Sequence, residues 1–186
     1  MSATQKVAAR RRRAPGELYV AQTGDLAAIE ALLAQAGESA GITAGGLDAP
    51  GGCWIGASIG DAGDGAGIAL VGVIGMETIV DTAVIRSLAV AEAMRRRGIG
   101  AALVGAARKA AHTRGARRLY ALGRRGQDSI VRDYLLRFGF EPVARRAMLE
   151  DLDGTFIASY LRVHPEQLAR IDALLLDISR DGVIER

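Results

Sequence analysis

A strand-like run, Thr82-Ala-Val-Ile-Arg-Ser-Leu-Ala-Val90, leads through three arginines and two glycines, Arg95-Arg-Arg-Gly-Ile-Gly100, into a helix-like stretch. This junction constrains the fold more than any other segment. The run before it is rich in β-branched and apolar residues, and no helical stripe crosses it without misplacing Arg86 or Ser87, so it reads as a strand. Beyond Gly98, the apolar residues Ile99, Leu103, Ala106, Ala107 and Ala110 recur at three- and four-residue spacing, with Gly115 as the stop. The first turn of a helix carries unpaired N–H groups and a partial positive charge. Arg95, Arg96 and Arg97 therefore sit where cations are disfavoured, at roughly 0.3–1 kcal/mol each when exposed. A docked phosphate reverses that sign, because N–H groups, helix dipole and guanidinium forks then act on one anion. Gly98 and Gly100 let the backbone come close to it. A solvated, arginine-rich loop is the alternative.

Two phosphate-binding motifs fail here. A P-loop needs a Gly-Lys-Ser/Thr triplet that the chain lacks. A dinucleotide fingerprint needs a third glycine where Leu103 stands and an acidic residue about twenty positions on, near Tyr120 and Ala121. What Arg95-Arg96-Arg97-Gly98-Ile99-Gly100 does match is Arg/Gln-x-x-Gly-x-Gly/Ala, the acetyl-coenzyme A signature of the GNAT superfamily of N-acetyltransferases. The chain resembles that superfamily from about Leu18 to Val143. Tyr134-Leu-Leu-Arg-Phe-Gly-Phe140 is similar to the family's helix ending in an aromatic-Gly-Phe turn. Within the superfamily, Ile85-Arg-Ser-Leu-Ala-Val90 is most similar to small-substrate enzymes of the arsenic-resistance and phosphinothricin type. The resemblance implies an α/β fold, a central mixed sheet flanked by helices.

It also implies direct transfer of acetyl from the thioester of acetyl-coenzyme A to an amine, with no covalent acyl-enzyme. An amine of pKa near 10 is almost fully protonated at pH 7, so a base must take a proton before attack, and the leaving thiolate then needs one. The family recruits a carboxylate from the central strands, which nominates Glu77 as the base. Its acid is a tyrosine four residues before the glycine of the aromatic-Gly-Phe turn. Leu135 holds that position here, and Tyr134 beside it is the candidate acid. N–H groups around Leu88, Ala89 and Val90 would polarise the thioester carbonyl and grip the pantetheine arm. The amides and side chains of Arg95, Arg96, Arg97, Gly98, Ile99, Gly100 and Ala101 would hold the pyrophosphate.

Arg86 alternates with Leu88 and Val90, which puts all three on one face of a regular strand, and a buried arginine needs an anion. A substrate carboxylate or phosphinate would serve, pointing to an amino acid or glutamate analogue as acceptor. An internal salt bridge to Glu77 or Asp81 is the alternative. The leucine at the tyrosine position keeps open a non-catalytic acetyl-coenzyme A sensor, and a protein N-terminus or lysine remains open as acceptor.

With 186 residues and 49% hydrophobic content the chain can bury one substantial core, and only 4% aromatic residues means Ala, Val, Leu and Ile must build it. A GNAT domain is expected over 16–147, after a mobile basic tail at 1–15. A C-terminal extension at 148–186 is expected to pack on the domain or on a partner subunit in a homodimer. Pro165 should open a helix there with Leu168, Ile171, Leu174, Leu175 and Ile178 apolar. Upstream, Glu17–Ala21 reads as a strand, and Thr23 as the cap of a helix from Asp25 to Ala36 ended by Gly37. Cys53–Ile59 and Gly67–Glu77 read as strands joined by an acidic glycine-rich turn from Asp61. That turn is no calcium loop, since Gly72 stands at its twelfth position. His112 and His164 lack ligand partners at suitable spacing, so no metal is expected.

The single Cys53 suits a reducing compartment, and no apolar run or secretory leader stands out, so a cytoplasmic protein is expected. The net charge of +3 gathers in the basic tail and around the signature arginines, Arg117, Arg118, Arg124 and Arg125. Aromatic stacking partners are scarce, which argues against specific single-stranded nucleic acid as a ligand.

Overall fold

The computed structural model describes residues 18–36, 52–60, 69–124, 129–154, 156–157 and 165–179. The basic tail, the Gly37 stop, the turn from Asp61 and His164 lie outside them. The elements are β1 (Leu18–Thr23), α1 (Leu26–Gln35), β2 (Gly52–Ile59), β3 (Ala69–Ile79), β4 (Thr82–Val90), α2 (Ile99–Thr113), β5 (Arg118–Arg124), α3 (Ser129–Leu136), β6 (Glu141–Val143), α4 (Arg145–Asp151) and β7 (Ile171–Asp177). The seven strands form one sheet in the order β1-β2-β3-β4-β5-β7-β6. Only β4 and β5 run parallel, and α2 makes the crossover between them. The result is the mixed α/β architecture that the signature junction implied.

Both faces of the sheet are covered. On one, α2 and α3 bury Ile99, Leu103, Ala107 and Leu135 against Ile55, Ile74, Met76 and Ile85. On the other, α1 packs Ile29, Leu32 and Leu33 against Trp54, Val73 and Ala89, and Met148 and Leu152 from the α4 segment pack on Val84 and Tyr120. Gly72 lets α2 lie close to the sheet, since a Cβ there would stand 2.9 Å from the Ile99 side chain and 3.0 Å from that of Leu103.

Two local expectations are corrected. Asp25, not Thr23, caps α1: its carboxylate accepts the Ala28 N–H at 3.0 Å, while the Thr23 hydroxyl accepts the Asp25 N–H one step upstream. The helix expected from Pro165 to Ile178 is instead a short 3-10 turn, Pro165–Arg170, followed by β7. β7 pairs with β5 on one side and β6 on the other. An interior strand buried on both faces shows no alternation, and a short apolar run such as Ile171-Asp-Ala-Leu-Leu-Leu176 then fits either element by periodicity alone. The sheet therefore extends past residue 147.

A polar network ties the far end of β4 and β5 to α4. The Arg118 guanidinium donates to both oxygens of Asp81, at 3.0 and 2.9 Å, and to Asp151. The Tyr120 hydroxyl donates to Asp151 at 2.6 Å. Hydrogen bonding from Arg118 holds the Asp81 carboxyl below its usual range, and burial together with Asp151 pushes the Tyr120 hydroxyl well up. Asp81 is thus engaged by Arg118.

The turn between β3 and β4 carries a misfit residue. Val80 has φ 52° and is 91% exposed. A β-branched residue at positive φ is strained, and glycine is the residue that such a hairpin turn prefers. Strain of this kind costs on the order of 1–3 kcal/mol. Val80→Gly should raise the calorimetric unfolding midpoint by about 2–4 °C for a chain of this size. A lowered midpoint would mean that the valine side chain has a packing role.

Candidate active site

The site begins with an irregularity in β4. Val73 on β3 lies opposite Ala89, and Gly75 lies opposite Arg86, so the single residue Ile74 faces both Ser87 and Leu88. Ser87 takes φ 52° to absorb the extra residue. This is a β-bulge, which resets the side-chain alternation and adds local twist. The expectation that Arg86 shares a face with Leu88 and Val90 is therefore corrected. Leu88 and Val90 turn to the α2 face, whereas Ala89 joins Trp54 on the α1 face, the face of Arg86 and Gly75.

Just before the bulge, β4 parts from β5. Their ladder runs from Thr82 opposite Arg118 to Ile85 opposite Ala121 and ends there, although β4 continues to Val90 and β5 to Arg124. A cleft thus opens between two parallel strands, with the backbone of Arg86–Val90 along one wall. On its other edge this backbone is held by β3, and the Ala91 N–H donates to Val71 O at 2.9 Å.

The signature loop closes the end of that wall. A single 3-10 turn, Glu92–Met94, leads into Arg95, whose Nε donates to the Val90 carbonyl at 3.2 Å. Arg96 (φ 62°) and Gly98 (φ 78°) adopt left-handed conformations, and Gly98 caps α2 without any side-chain hydrogen bond. The ladder of α2 starts with the Ala102 N–H on Gly98 O, at 3.0 Å. The N–H groups of Ile99, Gly100 and Ala101 precede it and have no acceptor within the helix. Arg95, Arg96 and Arg97 are exposed beside them, and the space over Gly98 is open for 4 Å. An uncapped helix start, an open glycine and three guanidinium groups fit a diphosphate.

Tyr134 comes to the same place from α3. A Cβ on Gly100 would stand 2.6 Å from its hydroxyl oxygen, so that oxygen rests on the first turn of α2. The ring packs on Phe138 with centroids 4.9 Å apart, and burial pushes the hydroxyl above its ordinary pKa. Leu135, at the family's tyrosine position, is buried in the core. The neighbouring tyrosine brings a hydroxyl to the first turn of the signature helix.

On the α1 face, Glu77 and Arg86 come together. Glu77 lies opposite Val84, one pleat repeat behind the Gly75–Arg86 pair. Burial raises the Glu77 carboxyl above its usual value, and the charge of Arg86 opposes this without cancelling it. Trp54 completes the group, since the Arg86 guanidinium carbon lies 5.4 Å from its ring centroid. Sequence reasoning passed over Trp54, Gly75 and the bulge. The one available signal was Gly75 itself, because glycine inside a strand often marks a bulge or a close approach. Among the described residues no group of three His, Cys, Asp or Glu side chains forms a metal site, and no helix is long and apolar enough to cross a membrane.

Strands β4 and β5, parting beside the uncapped and arginine-flanked start of α2, form the arrangement expected of an acyltransferase of the coenzyme A type. Residues 17–140 match the acetyltransferase (GNAT) family, and the chain belongs to it. Solved structures share the fold at low identity. An N-acetylglutamate synthase from Neisseria gonorrhoeae, complexed with coenzyme A and N-acetyl-glutamate, aligns at 19% identity and TM-score 0.62. The alignment covers 89% of this chain and 36% of that one, so the present chain spans about a third of the synthase. An IAA acetyltransferase from Bacillus cereus aligns at 20% identity and TM-score 0.59, covering 87% of this chain and 99% of that one. A GNAT acetyltransferase from Staphylococcus aureus aligns at 12% identity and TM-score 0.62, covering 87% and 99%. No curated protein sequence matches the chain.

Proposed function

We propose that the protein acetylates the primary amine of a small acceptor bearing an anionic group, an amino acid or a glutamate analogue. The observation that carries this reading is the pairing of Arg86 and Glu77 on one face, with Arg86 the first residue past the β4/β5 ladder. Arg86 takes the acceptor's carboxylate or phosphinate. Glu77, directly or through a water, takes the proton of the ammonium group. The freed nitrogen lone pair attacks the thioester carbon, a C–N bond forms, and the C–S bond breaks. N–H groups along Leu88–Val90 stabilise the charge on the carbonyl oxygen. Tyr134, held protonated by burial, supplies the proton of the departing thiolate through solvent, and the second proton that the newly acylated nitrogen sheds restores it. Arg95–Ala101 hold the pyrophosphate throughout.

The two assigned proton carriers lie on opposite faces of the sheet, Glu77 on the α1 face and Tyr134 on the α2 face. That arrangement suits direct transfer, where the nucleophile loses its proton on one side of the carbonyl and the leaving group gains one on the other. The Tyr134 hydroxyl over Gly100 supports this reading over a sensor without chemistry, the alternative that the leucine at position 135 kept open.

Thiol release from acetyl-coenzyme A tests the reading against acidic amino acids, phosphinothricin, neutral amines, polyamines and peptides. Acidic amino acids or phosphinothricin should turn over best. Arg86→Gln should raise their KM by about 10- to 100-fold, as expected for losing one charge-assisted hydrogen-bonded pair. Turnover of peptides alone would replace the small acceptor with a protein one. Donor binding without any turnover would restore the sensor.

A further inference from the structure

Trp54, Gly75 and Arg86 form one row across three strands. Trp54 on β2 lies opposite Gly75 on β3, and Gly75 lies opposite Arg86 on β4. The centre of the row has no side chain, and its two ends meet above it. A Cβ built on Gly75 would stand 3.0 Å from the indole Cη2 and Cζ3 and 2.9 Å from Arg86 Cγ. Trp54 is 3% exposed and is locked by Ile29, Leu32 and Leu33 of α1. Arg86 is only half-buried. The row thus joins a rigid, apolar ring to a cation at the mouth of the cleft.

We infer that Trp54 is a positioning residue that sets the plane of the Arg86 guanidinium and thereby makes the site selective for amines that carry a carboxylate. The inference rests on the reading of Arg86 as the acceptor's anchor. A ring contact engages the flat face of a guanidinium, while its N–H fork points outward in the plane. Bidentate recognition of a carboxylate depends on that plane being fixed beforehand, because an arginine free to rotate must be ordered when the acceptor binds. Glycine at position 75 is the condition for this, since any side chain there would push ring and guanidinium apart.

The test is steady-state kinetics on the full chain with two acceptors, the preferred carboxylate-bearing amine and its carboxamide. Trp54→Leu should raise KM for the carboxylate about 3- to 30-fold, the range of a partly desolvated cation–π contact. kcat, KM for acetyl-coenzyme A and KM for the carboxamide should stay within twofold. Trp54→Phe, which keeps an aromatic face, should recover most of the loss. Gly75→Ala should reproduce the Leu pattern without touching the indole, and guards against a Trp54→Leu variant that fails to fold. As the only tryptophan in the chain, Trp54 should also change its emission when the carboxylate is titrated in, and not in Arg86→Gln.

Equal losses for carboxylate and carboxamide, or a loss shared with acetyl-coenzyme A, would make Trp54 merely structural and overturn the inference. If Arg86→Gln abolishes the carboxylate preference and Trp54→Leu keeps it, only the role of Trp54 falls. If the wild-type protein shows no carboxylate preference, the Arg86 anchor falls and this inference with it.

Discussion

Gly100→Glu should abolish binding of acetyl-coenzyme A, with affinity in calorimetric titration falling at least about 100-fold, while the protein stays folded. A side chain at this position meets the Tyr134 hydroxyl at once, 2.6 Å from the new Cβ. Its carboxylate would then occupy the first turn of α2, among the N–H groups assigned to the pyrophosphate. An acidic residue in a helix's first turn is favourable for the helix itself, by roughly 0.3–1 kcal/mol. The substitution therefore separates anion binding from stability. The new carboxylate satisfies the helix and repels the ligand. Gly98→Glu should act in the same direction with an added folding cost, because Gly98 holds φ 78°. Gly100→Ala should be milder, shifting Tyr134 more than it blocks the phosphates. Unchanged affinity in both Glu variants would remove the cofactor assignment from Arg95–Ala101.

Glu77→Gln should lower kcat by about 10²- to 10⁴-fold, the usual contribution of a positioned general base, with little change in KM for acetyl-coenzyme A. The pH profile gives a sharper reading. A base works deprotonated, so kcat/KM of the wild-type protein should rise with pH through the Glu77 pKa. Burial places that pKa above the ordinary glutamate value, so the acid limb should lie on the high side of the pH range where exposed glutamates titrate. The Gln variant should lose the limb. Tyr134→Phe should keep it and lower kcat alone, because the tyrosine acts as the protonated form that its burial favours. A limb that survives in Glu77→Gln would assign the base elsewhere.

The strand-to-helix junction was legible because its signals are local. β4 ends at Val90 and α2 starts at Ile99, where the apolar alternation stops and the helical spacing starts. The side on which Arg86 lies was not legible. One residue, Ser87, adopts a conformation that serine seldom takes, and a one-residue shift moves every later side chain to the other face. Glu77 and Arg86 share a face, as the alternative of a salt bridge between them also required, since both lie on the turn side of the bulge. Trp54 was invisible for a different reason: its partner is two strands away, and only the bare centre at Gly75 lets the two meet. β7 was misread because burial on both faces erases the period that separates strand from helix. Tyr134 was nominated one position from the family pattern, and the register of α3 turns it, with Leu135 packed inward, towards Gly100.

The place of β7 also bears on how the molecule is made. The strand that completes the sheet is the last of the seven to be synthesised, yet it fits between two that come before it. Until it arrives, β5 and β6 have no bridge between them, and β5 presents an open edge of the kind that pairs with other chains. Such non-local pairing is slow to form and exposed to misassembly meanwhile. A ribosome that stalls between Val143 and Ile171 would therefore release a chain with its donor-binding junction already built and its sheet still open, a species for chaperones to hold and not yet an enzyme.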